Sequence, residues 1–425
     1  MDYHKKTLSN GLRVITIPMP QAESVTLTVW VNVGSRYEPD KIGGLSHFLE
    51  HIVFKGSKKR PTAKEISTAV DAIGGEFNAG TSKEWTNFYI KASKKHIETA
   101  FDVLSDMVFN PLIREDEIER EKGVILEEMA MYEDTPMMNI GDVFESKMFE
   151  GNFLGRDTIG TEKSVKSLTK DDFLRYRSAH YFPKNLLITV AGGVKESEVI
   201  KLTEKYFKEL PKQEGTPSGK TKFSHTQSSP DMKLKSKKIE QAHLILGFRG
   251  NPLGHPDRYT EAILSTILGK GMSSRLFIEV RERRGLAYSV RTDADHYTDA
   301  GYIGTYAGVD PSKAEEAIKV TLDEHYKLAS GESPISASEL TKAKEYLKGH
   351  IALSLENTSA VNQFFGEQEL LQKKIETPDE IFKEIDKVTI EDVIRVAKKL
   401  FKKENLNLGI IGPYNNEDKF KKLLN

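Results

Sequence analysis

The chain contains no cysteine, which excludes disulfide bonds and thiolate metal ligands. Any metal site must therefore use histidine and carboxylate side chains. The chain also lacks an excess of either charge, since 62 Lys and Arg residues stand against 63 Asp and Glu residues. This balance provides no electrostatic reason to expect nucleic acid or an anionic membrane surface as a partner.

Long apolar runs are missing as well. No window approaches the roughly 18 consecutive apolar residues of a membrane-spanning helix. The opening residues, 1–6, end in a Lys pair that no apolar segment follows, although a secretory signal would need one. We therefore expect a soluble cytoplasmic protein with no membrane partner.

The length of 425 residues is too great for one ordinary hydrophobic core. Two domains of about 200 residues are the natural expectation. Apolar periodicity is lost between Leu210 and Met232, where Pro, Gly and Ser accumulate. The sequence therefore predicts an N-terminal domain at 1–212, a linker at 213–232 and a C-terminal domain at 233–425.

The two halves of the chain resemble each other. The segment 168–173 (LTKDDF) matches 388–393 (VTIEDV), and 52–56 (IVFKG) matches 267–271 (ILGKG) in the same order. Such a repeat indicates a duplication. The predicted fold class is α+β, with two homologous domains that each consist of a mostly antiparallel sheet with helices packed on it.

Local patterns predict the first elements. From position 25 to 33, Val and Leu alternate with Thr, Trp and Asn, which is the period of a half-buried strand. A helix is expected from Thr62 to Ile73, with a capping box formed by Thr62 and Glu65. Strands are expected at 76–79 and 86–90, and helices at about 94–109 and 114–134.

The most informative stretch is His47-Phe-Leu-Glu50-His51. Positions i and i+4 of a helix lie one above the other, so both imidazoles can face one metal ion with Glu50 beside them. The H-x-x-E-H order is the inverzincin motif. It suits one catalytic zinc per chain that keeps a coordination position open for water. The alternative is a helix that merely carries two histidines and a glutamate on a buried or solvated face.

A third ligand is expected from the acidic segment 115–128. Glu121 and Glu128 are seven residues apart, which is about two helical turns, and so share a face. One carboxylate could bind zinc while the other holds a ligand histidine through its second ring nitrogen. Spacing alone does not choose among Glu121, Glu127 and Glu128, and a solvated acidic helix is the alternative.

These residues together resemble the pitrilysin family of zinc peptidases, which includes insulysin and the mitochondrial processing peptidase. The chain is similar in length and arrangement to the family's short bacterial members and to the catalytic subunit of the processing peptidase. The resemblance runs from Leu8 to the C-terminal repeat. It implies that Glu128 is the third zinc ligand and Glu121 the carboxylate behind a ligand histidine, with no role for Glu127.

Two further segments carry the resemblance. The segment 75–82 is similar to the family's edge strand, on which a substrate backbone adds as an extra strand, and this implies substrate contacts at Asn78 and Ala79. The segment 273–288 is similar to the one whose Arg and Tyr reach the substrate, which implies that role for Arg281 and Tyr288. Without the resemblance, Arg281 would be expected to pair with Glu279 or Glu282.

The resemblance implies a zinc metalloendopeptidase that hydrolyses oligopeptides or unfolded, presequence-like segments. Glu50 would take the proton from zinc-bound water, and Tyr288 would stabilise the developing oxyanion. Family members enclose their substrate between four homologous domains, so a homodimer is expected. The alternatives are a non-enzymatic partner subunit and a zinc hydrolase acting on another substrate class. The sequence has no basic patch that would favour a nucleic-acid-binding protein.

Overall fold

The computed structural model describes residues 1–210, 212–213, 219–225 and 227–425. Strands and helices occur in both halves of the chain. The strands are β1 (His4–Thr7), β2 (Arg13–Pro18), β3 (Ser24–Val31), β4 (Glu76–Thr81), β5 (Thr86–Ser93), β6 (Leu186–Gly192), β7 (Asp231–Ser236), β8 (Ala242–Gly250), β9 (Ala287–His296), β10 (Gly301–Val309) and β11 (Leu406–Gly412).

Most of the remaining described residues are helical. The α-helices are α1 (Leu45–Val53), α2 (Ala63–Asp71), α3 (Ile97–Phe109), α4 (Glu115–Asp134), α5 (Pro136–Met148), α6 (Glu162–Ser167), α7 (Lys170–His180), α8 (Glu196–Phe207), α9 (Arg258–Gly269), α10 (Ala314–Ser330), α11 (Ala337–Ser354), α12 (Thr358–Leu371), α13 (Pro378–Lys387), α14 (Ile390–Leu400) and α15 (Asp418–Leu424). A π-helix covers Phe277–Glu282.

The chain forms two compact units, each built from separate segments. The first unit comprises Met1–Ala130, Arg156–Thr221 and Leu353–Thr377, and the second comprises Met131–Gly155, Lys222–Ala352 and Pro378–Asn425. Helix α5 thus belongs to the second unit and α12 to the first. The expected domains follow the chain without interruption, whereas the units do not. The expected linker at 213–232 lies partly outside the described residues and stays a prediction.

The first unit contains a six-stranded sheet in the order β1-β2-β6-β3-β5-β4. Its neighbouring strands are antiparallel except for the parallel pair β2–β6. Strands β1 and β4 are the two edges. The second unit contains a five-stranded sheet in the order β7-β11-β8-β10-β9, with the parallel pair β7–β11.

The two sheets have the same plan. If β1 is left out, the order β2-β6-β3-β5-β4 of the first sheet corresponds strand by strand to the order β7-β11-β8-β10-β9 of the second. The parallel pair, β2–β6 or β7–β11, lies at the same end of each series. The predicted fold class, two homologous α+β domains with mostly antiparallel sheets, is confirmed. The shared strand order supports the duplication that the sequence indicates.

Strand β3 differs from its prediction, because both of its faces are buried. Besides its apolar residues, Thr26, Thr28 and Trp30 are at most 4% exposed. Helix α12 covers this second face, where Asn362 Nδ2 donates hydrogen bonds to the carbonyl oxygens of Thr26 and Thr189 at 2.8 and 2.9 Å. The half-buried assignment was wrong because the covering helix comes from the other end of the chain.

Other local predictions are confirmed. Thr62 Oγ1 accepts a hydrogen bond from the backbone N–H of Glu65 at 3.2 Å, and Glu65 Oε2 accepts one from Thr62 N–H at 2.9 Å. This is the expected capping box at the start of α2. The helices expected at 94–109 and 114–134 correspond to α3 and α4.

Candidate metal centre

Helix α1, which carries the histidines, begins at a tight turn. Gly44 has φ 90°, and a Cβ there would lie 2.4 Å from the carbonyl oxygen of Ile159. The Glu38 carboxylate accepts hydrogen bonds from the N–H groups of Gly44 and Ser46 at 2.7 and 2.5 Å. A negative charge at this end of a helix is favourable. Burial nevertheless raises the pKa of Glu38 to about 7, against these hydrogen bonds.

The two faces of α1 differ sharply. His47 and His51 lie side by side on one face, with ring centroids 4.6 Å apart. The opposite face fixes the helix in the core of the first unit, because its apolar side chains are fully buried. These side chains are Leu45, Phe48, Leu49 and Ile52. The helix predicted for the His47–His51 motif is confirmed.

Glu128 of α4 completes a cluster with the histidines. Its Oε2 lies 3.5 Å from His47 Nε2 and 3.6 Å from His51 Nε2. These three residues offer ligand atoms within 4.8 Å of one another, and the described residues contain no second group of this kind. Glu127 is exposed and lies outside the cluster.

The cluster fits a zinc ion. Glu128 Oε2 is buried yet has no hydrogen-bond partner among the described residues. A buried carboxylate oxygen without a partner is costly. Two imidazoles and a carboxylate are a donor set of catalytic zinc sites, in which the fourth position stays open. An ion between the three donors would satisfy the orphaned oxygen.

Glu121 lies behind one of the histidines. Its Oε1 is 2.9 Å from His51 Nδ1, and its Oε2 is 2.6 Å from Lys55 Nζ. Burial opposes ionisation of Glu121, but hydrogen bonds from His51 and Lys55 outweigh it and lower the pKa. An ionised Glu121 accepts the Nδ1–H of His51 and leaves Nε2, the nitrogen that faces Glu128, free as a donor to a metal.

Glu50 points toward strand β4. The hydroxyl of Thr81 donates a hydrogen bond to Glu50 Oε2 at 2.5 Å. Burial raises the pKa of Glu50, although the Thr81 hydrogen bond and the nearby histidines oppose the shift.

Sequence reasoning missed both Thr81 and Lys55. The alternation of β4 places Thr81 on the face of Phe77 and Ala79, but it does not reveal which helix that face meets.

The two predicted strand residues lie on an edge strand of the first sheet. Asn78 and Ala79 belong to β4, which pairs with β5 on one side and forms the edge of the sheet. The backbone N–H of Ala79 donates a hydrogen bond to Asn78 Oδ1 at 2.9 Å. An edge strand of this kind can accept a further extended segment.

Arg281 and Tyr288 lie in the second unit and contact each other. The guanidinium of Arg281 stacks over the rings of Phe277 and Tyr288, with centroid distances of 4.7 and 5.3 Å. Its Nε also lies 3.8 Å from Glu282 Oε1, a loose form of the surface ion pair expected as the alternative. Tyr288 is 78% exposed, so its hydroxyl is accessible. Whether either residue contacts a substrate stays a prediction.

Two family models match the chain. Residues 13–162 match insulinase (peptidase family M16), and residues 167–347 match the peptidase M16 inactive domain. An uncharacterised zinc protease of Streptomyces coelicolor is 38% identical over 96% of this chain and 89% of its own length. The chain belongs to peptidase family M16. Its His-His-Glu cluster falls entirely within the segment that matches the insulinase model.

Other relatives also match nearly the whole chain. An uncharacterised zinc protease of Bacillus subtilis is 38% identical over 96% of this chain and 98% of its own length. The crystal structure of a protease from Helicobacter pylori superposes with a TM-score of 0.90 at 25% identity and covers 97% of this chain and 99% of that one. Among the described residues of the M16 chain, no helix is long and apolar enough to cross a membrane.

Proposed function

We propose that this M16 protein is a zinc metalloendopeptidase that hydrolyses oligopeptides or unfolded, presequence-like segments. His47, His51 and Glu128 hold one zinc ion per chain. The observation that carries the proposal is the convergence of two imidazole nitrogens on Glu128 Oε2 at 3.5 and 3.6 Å. That oxygen is buried, and among the described residues no group lies close enough to form a normal hydrogen bond with it. The relatives named zinc proteases support the metal.

Zinc, when bound, supplies a Lewis acid that makes water easier to deprotonate and polarises a carbonyl group. Glu50 is the general base. It lies beside His51 on α1, and its carboxylate is held at Oε2 by Thr81, so Oε1 is available for proton transfer. Glu50 takes a proton from the attacking water and returns it to the leaving amine nitrogen, which balances the hydrolysis.

Glu121 and Lys55 support the metal ligand set. Glu121 fixes the ring of His51 by accepting its Nδ1–H, and Lys55 keeps Glu121 ionised through a contact at 2.6 Å. Such partners of metal-binding histidines set the tautomer and typically contribute about 10–100-fold to metal affinity or activity. Lys55 thereby acts on the zinc site without touching a ligand.

The peptide substrate adds to the open edge of β4 at Asn78 and Ala79. This placement explains why a peptide rather than another carbonyl compound is the substrate, because backbone hydrogen bonds along an edge strand select an extended chain. By family resemblance, Arg281 and Tyr288 bind the substrate, and Tyr288 donates a hydrogen bond to the oxyanion. The same resemblance leads us to propose a homodimer, and the cytoplasmic location stays a prediction of the sequence.

The proposal is tested with the full chain. Elemental analysis should find about one zinc per chain, as a three-ligand catalytic site requires. An unstructured peptide library should be cleaved, cleavage should stop with a chelator, and zinc should restore it. Bound zinc without cleavage would contradict the peptidase assignment in favour of another substrate class. Absence of zinc at neutral pH would favour a non-catalytic subunit.

A further inference from the structure

Strand β4 makes one contact with helix α1 and one with Phe54, the residue directly after that helix. Near its start, the ring of Phe77 packs against Phe54, with centroids 5.4 Å apart. At its end, Thr81 Oγ1 donates to Glu50 Oε2 at 2.5 Å. Side chains two residues apart on a strand share a face, so both contacts come from the same face of β4. The strand that offers the open edge is therefore attached directly to the proposed base.

The turn after Thr81 is held rigidly. The carbonyl oxygens of Ser82 and Lys83 accept hydrogen bonds from the N–H groups of Ser35 and Arg36 at 3.1 and 3.0 Å. Arg36 Nη1 also pairs with Glu84 Oε1 at 2.6 Å, and both of these side chains are at most 3% exposed. A charge-assisted hydrogen bond of this kind has a narrow range of geometries. Thr81 thus has a well-defined position.

We propose that Thr81 is a positioning residue for the reaction, because its hydroxyl sets the Glu50 carboxylate relative to a peptide bound along β4. This inference rests on the proposed function. A glutamate side chain has several rotatable bonds, and one oxygen fixed by Thr81 directs the other. Base and substrate are then aligned by a single strand, and misplacement of about 1 Å can cost about 10²-fold in rate.

The test compares Thr81→Val, which removes the hydroxyl at nearly constant shape, with Thr81→Ser, which keeps it. Thr81→Val should lower kcat about 10- to 100-fold, in keeping with a misaligned base. KM and zinc affinity, the latter measured by chelator competition, should change less than about 3-fold, because neither the open edge nor a ligand is altered. Thr81→Ser should recover most of the lost rate.

Thr86→Val is the matched control. Thr86 pairs directly with Thr81 across the hairpin, but its hydroxyl donates to the carbonyl oxygen of Val33 at 3.0 Å. This variant should lower the unfolding temperature and leave kcat unchanged. A general effect of hairpin damage would instead lower kcat in both valine variants.

The outcomes separate the two claims. An active wild type whose kcat is unchanged by Thr81→Val would overturn the role of Thr81 alone. Loss of zinc in Thr81→Val, or failure of Thr81→Ser to recover the rate, would show a structural role and also overturn it. A zinc-loaded wild type that cleaves no peptide would overturn the proposed function and the inference together.

Discussion

At the scale of single residues, the proposed zinc site depends on which glutamate of α4 meets the histidines. The acidic segment offers several candidates in sequence, and spacing does not rank them. The structure brings Glu128 to both imidazoles and leaves Glu127 exposed. These neighbours therefore form a natural pair of test and control.

Glu128→Gln should weaken zinc binding by at least about 100-fold, because a neutral amide replaces an anionic ligand of the metal. Glu127→Gln removes the same charge from an exposed position one residue away and should change zinc affinity less than about 2-fold, since exposed charges are screened. Affinity can be measured by competition with a chelator of known strength. Equal losses in the two variants would show that Glu128 is not a ligand.

At the scale of elements, the start of α1 is held by the buried carboxyl group of Glu38. The carboxyl is 1% exposed and accepts two backbone hydrogen bonds from that start. Its pKa is raised from 4.5 to about 7, first because of burial. The folded protein therefore binds this proton more tightly than the unfolded chain does. The resulting stability is complete below about pH 4.5 and is lost as pH rises through about 7.

Glu38→Gln removes this titration. From about pH 4.5 to about pH 7, the wild type should lose up to about 3 kcal/mol of unfolding free energy relative to the variant. Urea unfolding of both proteins across this range, with chelator present to remove metal effects, measures the difference. Parallel stability curves for the two proteins would contradict the raised pKa.

Close packing of α12 on the first sheet depends on a glycine. A Cβ at Gly366 would lie 2.5 Å from Cε2 of the buried Trp30. Gly366→Ala should therefore cost about 1–3 kcal/mol or more, as overpacking of a core does. Gly349 in α11 is the control, because a Cβ there meets nothing within 4 Å.

Gly349→Ala should raise stability by up to about 1 kcal/mol through helix propensity alone. Denaturant unfolding of both alanine variants makes the comparison direct. If Gly366→Ala were as benign as Gly349→Ala, α12 would not pack on β3 as described.

At the scale of the whole molecule, the sequence pattern predicted the individual elements but not which unit each element joins. The strands β3 to β5, the helices α1 to α4 and the duplication could all be anticipated from periodicity and repeats. The placement of α5 and α12 could not, because each helix joins the unit opposite to its neighbours in the chain. Nothing in an amphipathic pattern states which sheet a helix will cover.

In the candidate site too, the sequence predicted the residues related by local spacing but not those brought together by packing. Helical spacing brought His47 and His51 together, and the family resemblance selected Glu128. Glu38 went unnoticed, although its partners Gly44 and Ser46 are nearby in the chain. The supporting groups Thr81 and Lys55 also went unnoticed, because their contacts depend on how separate elements pack. Thr81 contacts Glu50, which is 31 residues away in the chain. Lys55 contacts Glu121, which is 66 residues away. Such contacts leave no periodic trace in the sequence.

The central claim is that one zinc site with Glu50 as base performs peptide hydrolysis, and Glu50→Gln tests it most directly. Zinc content and cleavage of an unstructured peptide are measured together in the wild type and this variant. The variant should retain zinc and lose at least about 10²-fold in kcat, the usual contribution of a general base. Loss of zinc would make Glu50 a ligand, and an unchanged rate would exclude it as the base; either result would contradict the account.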